Sequence, residues 1–157
     1  MNLRIKSILV VIGIAFMILI SLGAGYFIFL ISQDMARDYP ELAHMQYPVL
    51  SMAWSVLLCA IVAMVFGMQL MINILRNLVF EERNVKLLRG MGICIFAAIL
   101  PVLALIIYTA QNVPGSITNL WAEAGVFGLI ILGIFVFLVT TLFEKAVEYK
   151  QENDLTV

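Results

Sequence analysis

Residues 48–75 read PVLSMAWSVLLCAIVAMVFGMQLMINIL, a stretch without a single Asp, Glu, Lys, Arg or His. A helix rising about 1.5 Å per residue needs about 20 apolar residues to cross roughly 30 Å of hydrocarbon. This stretch is long enough to cross, and it lacks the charged face that a helix on a water-soluble protein presents. Three further runs have the same character: Ser7–Ser32, Gly90–Tyr108 and Leu120–Phe143. Over the whole chain 64% of residues are hydrophobic and 12% charged, against about 25% charged in an ordinary soluble domain. Water would leave that surplus exposed, whereas lipid is a solvent for it.

The fold expected is all-α: one polytopic membrane domain over 1–157, an up-down bundle of four transmembrane helices at about 7–32, 48–75, 90–108 and 120–143. Helices are required because the bilayer core offers no water to satisfy backbone polar groups. Short connections make successive helices antiparallel neighbours. Pro48 suits a first helical turn, and Val113-Pro114-Gly115-Ser116 reads as a tight turn. Arg4 and Lys6 precede the first run, which holds Gly23, Ala24 and Gly25, as a cleaved signal peptide would. Its apolar length far exceeds the 7–15 residues or so of a signal-peptide core, so a retained helix is expected.

Charge sets the orientation. Arg4 and Lys6, then Arg76, Arg83, Lys86 and Arg89 of the connection 76–89, then Lys145 and Lys150 of the tail 144–157, all fall on one side. Arg37 alone falls on the other, with Asp34, Asp38 and Glu41. The positive-inside rule then places both termini and the middle connection in the cytoplasm. Trp54 and Trp121 are expected near the outer interface, and Glu123 at the positive end of the fourth helix's dipole.

Candidate sites inside the membrane are few. No Asp, Glu, Lys, Arg or His lies within the spans, apart from Glu123 at the outer edge of the fourth, which speaks against a proton-coupled pump. Gln69, Asn73 and Asn77 recur at four-residue steps, so they line one face near the inner end, with Ser7, Thr140 and Thr141 at similar depth. Interhelical hydrogen bonding is one reading of that polar face, and a vestibule open to the cytoplasm is the other. Pro101 removes a bond to the carbonyl of Ala97 and should bend the third helix. Ser21 with Gly25, and Ala124 with Gly128, have the spacing of close helix packing, within the bundle or across a homodimer. Met64, Met68 and Met71 read as a packing stripe rather than metal ligands. Cys59 and Cys94 are expected at different depths, hence as free thiols. His44 reads as part of a solvated acidic loop. The chain holds no phosphate-binding glycine loop, metal-spaced cluster or nucleophile elbow, so no catalytic residue, cofactor or metal is expected, and no enzyme activity.

Chemistry concentrates at the inner ends. In the connection Phe80-Glu81-Glu82-Arg83-Asn84-Val85-Lys86-Leu87-Leu88-Arg89, the spacing of Glu82 and Lys86 suits a short amphipathic helix extending the third span. The fourth helix should continue past the bilayer to about Glu152 and then release its tail. From Glu144 onward there are four acids (Glu144, Glu148, Glu152, Asp154) and two lysines, while the middle connection has four bases and two acids. The two segments can dock on each other, or the acids can attract a basic partner.

The connection that begins Phe80-Glu81-Glu82 and continues Val85-Lys86-Leu87-Leu88, together with the ending Glu152-Asn153-Asp154-Leu155-Thr156-Val157, resembles the bacterial DUF2975 family of membrane proteins of unknown function. The resemblance covers the whole chain, with the ending its most specific part. It implies a small four-helix protein, often encoded beside a very small helix-turn-helix regulator of the Cro/C1 type, and so a protein partner rather than a reaction. The family's pattern carries over onto Phe80–Arg89 and Glu152–Val157. The partner-binding set expected on this basis is Glu81, Glu82, Arg83, Lys86, Glu144, Glu148, Glu152, Asn153, Asp154 and Leu155, contacting a regulator and not nucleic acid directly. The alternative is a small transporter, channel or immunity-type protein in which Gln69, Asn73 and Asn77 line a route for a neutral or amphiphilic molecule.

Overall fold

The computed structural model describes residues 3–155; the side chains of residues 3, 4, 6, 154 and 155 lie outside that description. The placements expected above for Arg4, Lys6, Asp154 and Leu155 side chains, and for Thr156 and Val157, thus fall outside the described residues. Within them the chain is helical, with no strand: α1 (Leu3–Asp38), a 3-10 segment (Pro40–Met45), α2 (Gln46–Leu75), α3 (Glu82–Ala97), α4 (Ile99–Asn112) and α5 (Ile117–Leu155). Four helical spans, with α3 and α4 forming one of them, are long and apolar enough to cross a bilayer. The protein is a multi-pass membrane protein built from four such helices.

Every helix overruns its apolar run. α1 continues through Asp34 and Arg37 to Asp38, and the segment expected as an outer loop shortens to a 3-10 turn. α5 runs without interruption to Leu155, so the tail is not released at Glu152. α3 starts at Glu82, eight residues before the apolar run, as the amphipathic extension expected from Glu82 and Lys86, and the connection is reduced to residues 76–81. Apolarity marks only the part of a helix that touches lipid; the hydrogen-bonded ladder continues wherever another helix supports it.

The end of α2 is fixed by backbone geometry. Asn77 has φ +62°, its N–H donates to the carbonyl of Ile74 (3.1 Å), and the N–H of Leu78 reaches back to Asn73 (3.0 Å). That is the paired cap of a Schellman motif, in which glycine or asparagine takes the left-handed position. Asn77 thus terminates the helix and does not prolong a polar face. Because a β-branched residue suffers most from a positive φ, Asn77→Val is expected to destabilise the protein by about 1–2 kcal/mol, and Asn77→Gly by well under that. Thermal unfolding in detergent would measure both.

The third span breaks at Ala98, three residues before Pro101 and next to Ala97, whose carbonyl loses its donor to the proline ring. Ala98 remains near-helical (φ −64°, ψ −21°) and its N–H still reaches Cys94 (3.1 Å). The bend expected from Pro101 is therefore a tightened turn joining α3 to α4.

Helix neighbours follow chain order: α1 packs on α2, α2 on α3 and α4, and α3 and α4 on α5. Among the described residues the backbone of α1 comes close only to α2 and the 3-10 segment, and α1 and α5 are not packed backbone to backbone. The tightest seam is α3 against α5. A Cβ added to Gly92 would lie 2.9 Å from the Phe137 ring, and one added to Gly133 would lie 2.6 Å from Phe96. Each phenylalanine fills the space over the other helix's glycine, and the two rings sit 5.7 Å apart. The pair Ala124 and Gly128 does not act this way. Both are exposed, and nothing lies within 4 Å of a Cβ built on Gly128.

Candidate functional site

Below the Phe96 and Phe137 seam, α3 and α5 continue together as an antiparallel stem at the end of the molecule rich in Lys and Arg. Two polar contacts fix its register: Arg89 with Glu144 (2.5 Å), and the Gln151 amide donating to Glu82 (3.3 Å). Their spacing is equal and opposite on the two helices, as an antiparallel pair requires. Between them Val85, Leu88 and Val147 are buried. The ion pair is a minor contributor, since its side chains are 58% and 39% exposed and exposed pairs contribute about 1 kcal/mol or less. Burying one Val or Leu outweighs that, at about 1.5–3 kcal/mol.

The stem is anchored to α2 by a buried amide network. Asn84, in the first turn of α3, is fully buried. Its Oδ1 accepts from Asn73 Nδ2 (2.7 Å), and its own Nδ2 donates to the carbonyls of Leu78 (2.6 Å) and Val79 (2.8 Å). One side chain thereby holds the end of α2, the connection and the start of α3 together. Leu70, Leu87 and Leu88 form the adjoining core, with Phe66, Met71 and Ile74 against it. The sequence reading named Asn73 but assigned no role to Asn84. The available signal was an asparagine among alternating charges at the start of an amphipathic helix, where a buried amide must find several partners.

The partner-binding residues expected from sequence fall into two groups. Glu82, Arg83, Lys86, Glu148, Glu152 and Asn153 are exposed on the stem. Glu82, Lys86, Glu144 and Glu148 border a groove of about 250 Å³ between the two helices. Glu144 is half-buried and engaged by Arg89, and Glu81 is half-buried at the N-cap of α3, its carbonyl accepting from the N–H of Asn84 (2.9 Å). Docking of the connection on the tail is thus realised in the fold.

The intramembrane face is not. Gln69 is exposed, Asn73 is buried against Asn84, and Asn77 lies beyond the helix, so the three do not line one surface. The four-residue spacing assumed a helix that Asn77 itself ends. Thr140 and Thr141 bond back to the carbonyls of Val136 and Phe137 within α5 rather than across helices. Trp54 donates to the Gly25 carbonyl (3.2 Å) and lies against Phe29, joining α2 to α1. Both cysteines are free, yet both border one apolar cavity of about 370 Å³. Starting α3 at Glu82 puts Cys94 well inside the helix, nearer in depth to Cys59 than the apolar run suggests. His44 does not gather the acidic side chains around it; its ring nitrogens lie 3.0 Å from the Glu41 carbonyl and 3.1 Å from Asn112 Oδ1.

With this geometry in place, comparison with known families is informative. The family model described as a protein of unknown function, DUF2975, matches residues 30–157. The chain belongs to the DUF2975 family. The match takes in the C-terminal end of α1 and everything after it, including the whole α3–α5 stem and the Asn73–Asn84 network. No curated protein and no solved structure matches this DUF2975 chain.

Proposed function

We propose that this DUF2975 protein is a non-enzymatic control protein of a bacterial cytoplasmic membrane, with both termini cytoplasmic, whose α3–α5 stem holds a small helix-turn-helix regulator. The observation that carries the reading is the stem itself: a helix pair with a buried core, flanked by the last turns of α2, that displays charged side chains at the end where Lys and Arg accumulate. Eight of the nine Lys and Arg residues belong to that side, which supports its cytoplasmic placement. A DNA-binding regulator carries a basic surface for phosphate contacts. The exposed Glu148 beside the groove gives such a surface a carboxylate to meet, with Glu152 one turn further along. A regulator held this way has its basic surface occupied and is kept from DNA. The family resemblance, through the small regulator often encoded nearby, supports the choice of partner.

Co-purification of the tagged membrane protein with that regulator tests the reading. Glu148→Lys is expected to lower recovery about tenfold, equivalent to 1.4 kcal/mol, while Glu41→Lys at the opposite end leaves it unchanged. Undiminished recovery from Glu148→Lys combined with truncation after Gln151 would sink the proposal.

A further inference from the structure

At the end of the bundle opposite the stem, a cavity of about 490 Å³ lies between α1, the 3-10 segment, α2, α4 and the start of α5. That volume is within the roughly 300–1,000 Å³ of small-molecule sites. Its walls are mostly hydrocarbon, contributed among others by Ile31, Met35, Val49 and Leu105. α1 and α4 both line it without packing on each other, so it opens sideways between them toward lipid. Ser32, Tyr39, Gln46, Ser116 and Thr118 also reach the lining, and of its polar residues Thr109 alone is buried. It is only 6% exposed, and its hydroxyl makes no hydrogen bond among the described residues. Ser21, Ser55, Thr140 and Thr141 each bond back to the carbonyl four residues earlier, the usual recourse of a hydroxyl in a membrane helix. Other hydroxyls of the cavity are also engaged: that of Ser32 donates to Phe29, and that of Ser116 accepts from the N–H of Thr118.

A hydroxyl that forgoes the local carbonyl, on a buried residue beside a mostly apolar cavity, suits a ligand with one polar acceptor at the head of an apolar chain. Depth narrows the class. Thr109 lies three residues before Asn112, the last residue of α4, hence about 5 Å inside the helix end. It directly follows the apolar run that ends at Tyr108, which puts it where the hydrocarbon gives way to the polar zone of the acyl esters. We propose that this cavity holds one acyl chain of a membrane phospholipid, drawn from the leaflet at this end, with its ester carbonyl accepting the Thr109 hydroxyl. The site is independent of the stem and of whatever binds there.

The test uses the full chain in vesicles of phosphatidylethanolamine and phosphatidylglycerol. The vesicles contain a phosphatidylcholine with a photoactivatable diazirine near the carbonyl end of one chain, and cross-linked peptides are mapped by mass spectrometry. Wild type is expected to label around Leu105 and Thr109. Thr109→Val, which keeps the shape, should reduce that labelling about threefold, the loss of one intramembrane hydrogen bond. Leu105→Trp, which fills the cavity, should reduce it about tenfold, the effect of about 1.4 kcal/mol of overpacking. Labelling at the lipid-facing Phe135 and Leu138 should stay constant in both. Circular dichroism checks the tryptophan variant for folding; if it fails, the valine variant decides alone. Labelling at Leu105 and Thr109 unchanged in Thr109→Val would overturn the proposal. So would labelling displaced by equimolar free palmitate, because the site would then belong to a single-chain amphiphile.

Discussion

Asn84→Ala is expected to be the most damaging truncation outside the apolar core, lowering stability by about 3 kcal/mol. The amide is fully buried and all three of its hydrogen bonds are made to protein. Removing it leaves Asn73 Nδ2 and the carbonyls of Leu78 and Val79 without their partner, and each buried orphan costs about 1–3 kcal/mol unless water reaches it. Reversible unfolding in mixed detergent micelles would measure the loss. Asn73→Ala removes one bond of the three and should cost about 1 kcal/mol. Asn73→Leu combined with Asn84→Leu should cost less than the sum of the two single changes, because neither amide then remains to be orphaned. Additive losses in that cycle would show that the two side chains do not act as a unit.

Gly133→Leu is the second large effect. The space a side chain would occupy is already taken by Phe96, which itself contacts Phe137 lodged over Gly92. Neither ring can withdraw without displacing the other, so the helices must separate. Overpacking of this kind costs about 1–3 kcal/mol, and with aromatic rings on both sides the upper end is expected. The matched control is Gly128→Leu, on the same helix but with open surroundings, which should change stability by less than about 0.5 kcal/mol. A reporter of stem geometry sharpens the comparison. Lys86→Cys with Val147→Cys, placed opposite each other by the register of Arg89 with Glu144, should form a disulfide under mild oxidation in the Gly128 variant. The yield should fall sharply in the Gly133 variant.

How far the sequence carries the reader depends on which solvent each residue meets. The four spans are legible because lipid imposes one requirement on every residue facing it, and an apolar run of sufficient length satisfies that requirement visibly. Helix ends are less legible. Glu82 to Arg89 is as charged as a loop, yet it is helical because α5 continues alongside and buries Val85 and Leu88. That support is tertiary, and its trace in the sequence is the spacing of Val85, Leu88, Gly92 and Ile95, all buried at three- and four-residue steps. The polar stripe was misread for a related reason. Four-residue spacing predicts a shared face only while the helix persists, and Asn77 is the residue that stops it. Small residues were equally ambiguous: Gly25 and Gly133 seat side chains of neighbouring helices, whereas Gly128, at the same kind of spacing, seats none. Of the proposed stem site, the residue types were readable, and the pairing of Arg89 with Glu144 followed the segregation of charge. Asn84 is legible as an asparagine at the start of an amphipathic helix, but its role as the hub is not, because its three partners are set by tertiary packing.

The placement of the α3–α5 stem on the cytoplasmic side carries the proposed function. It is tested most directly by labelling Glu148→Cys, in a chain with Cys59→Ala and Cys94→Ala, using a membrane-impermeant maleimide. Strong labelling in inverted membrane vesicles and none in intact spheroplasts is predicted, with the inverted-vesicle signal suppressed when the helix-turn-helix regulator is co-expressed. Labelling of Glu148→Cys in intact spheroplasts would place the stem outside the cell and contradict the account.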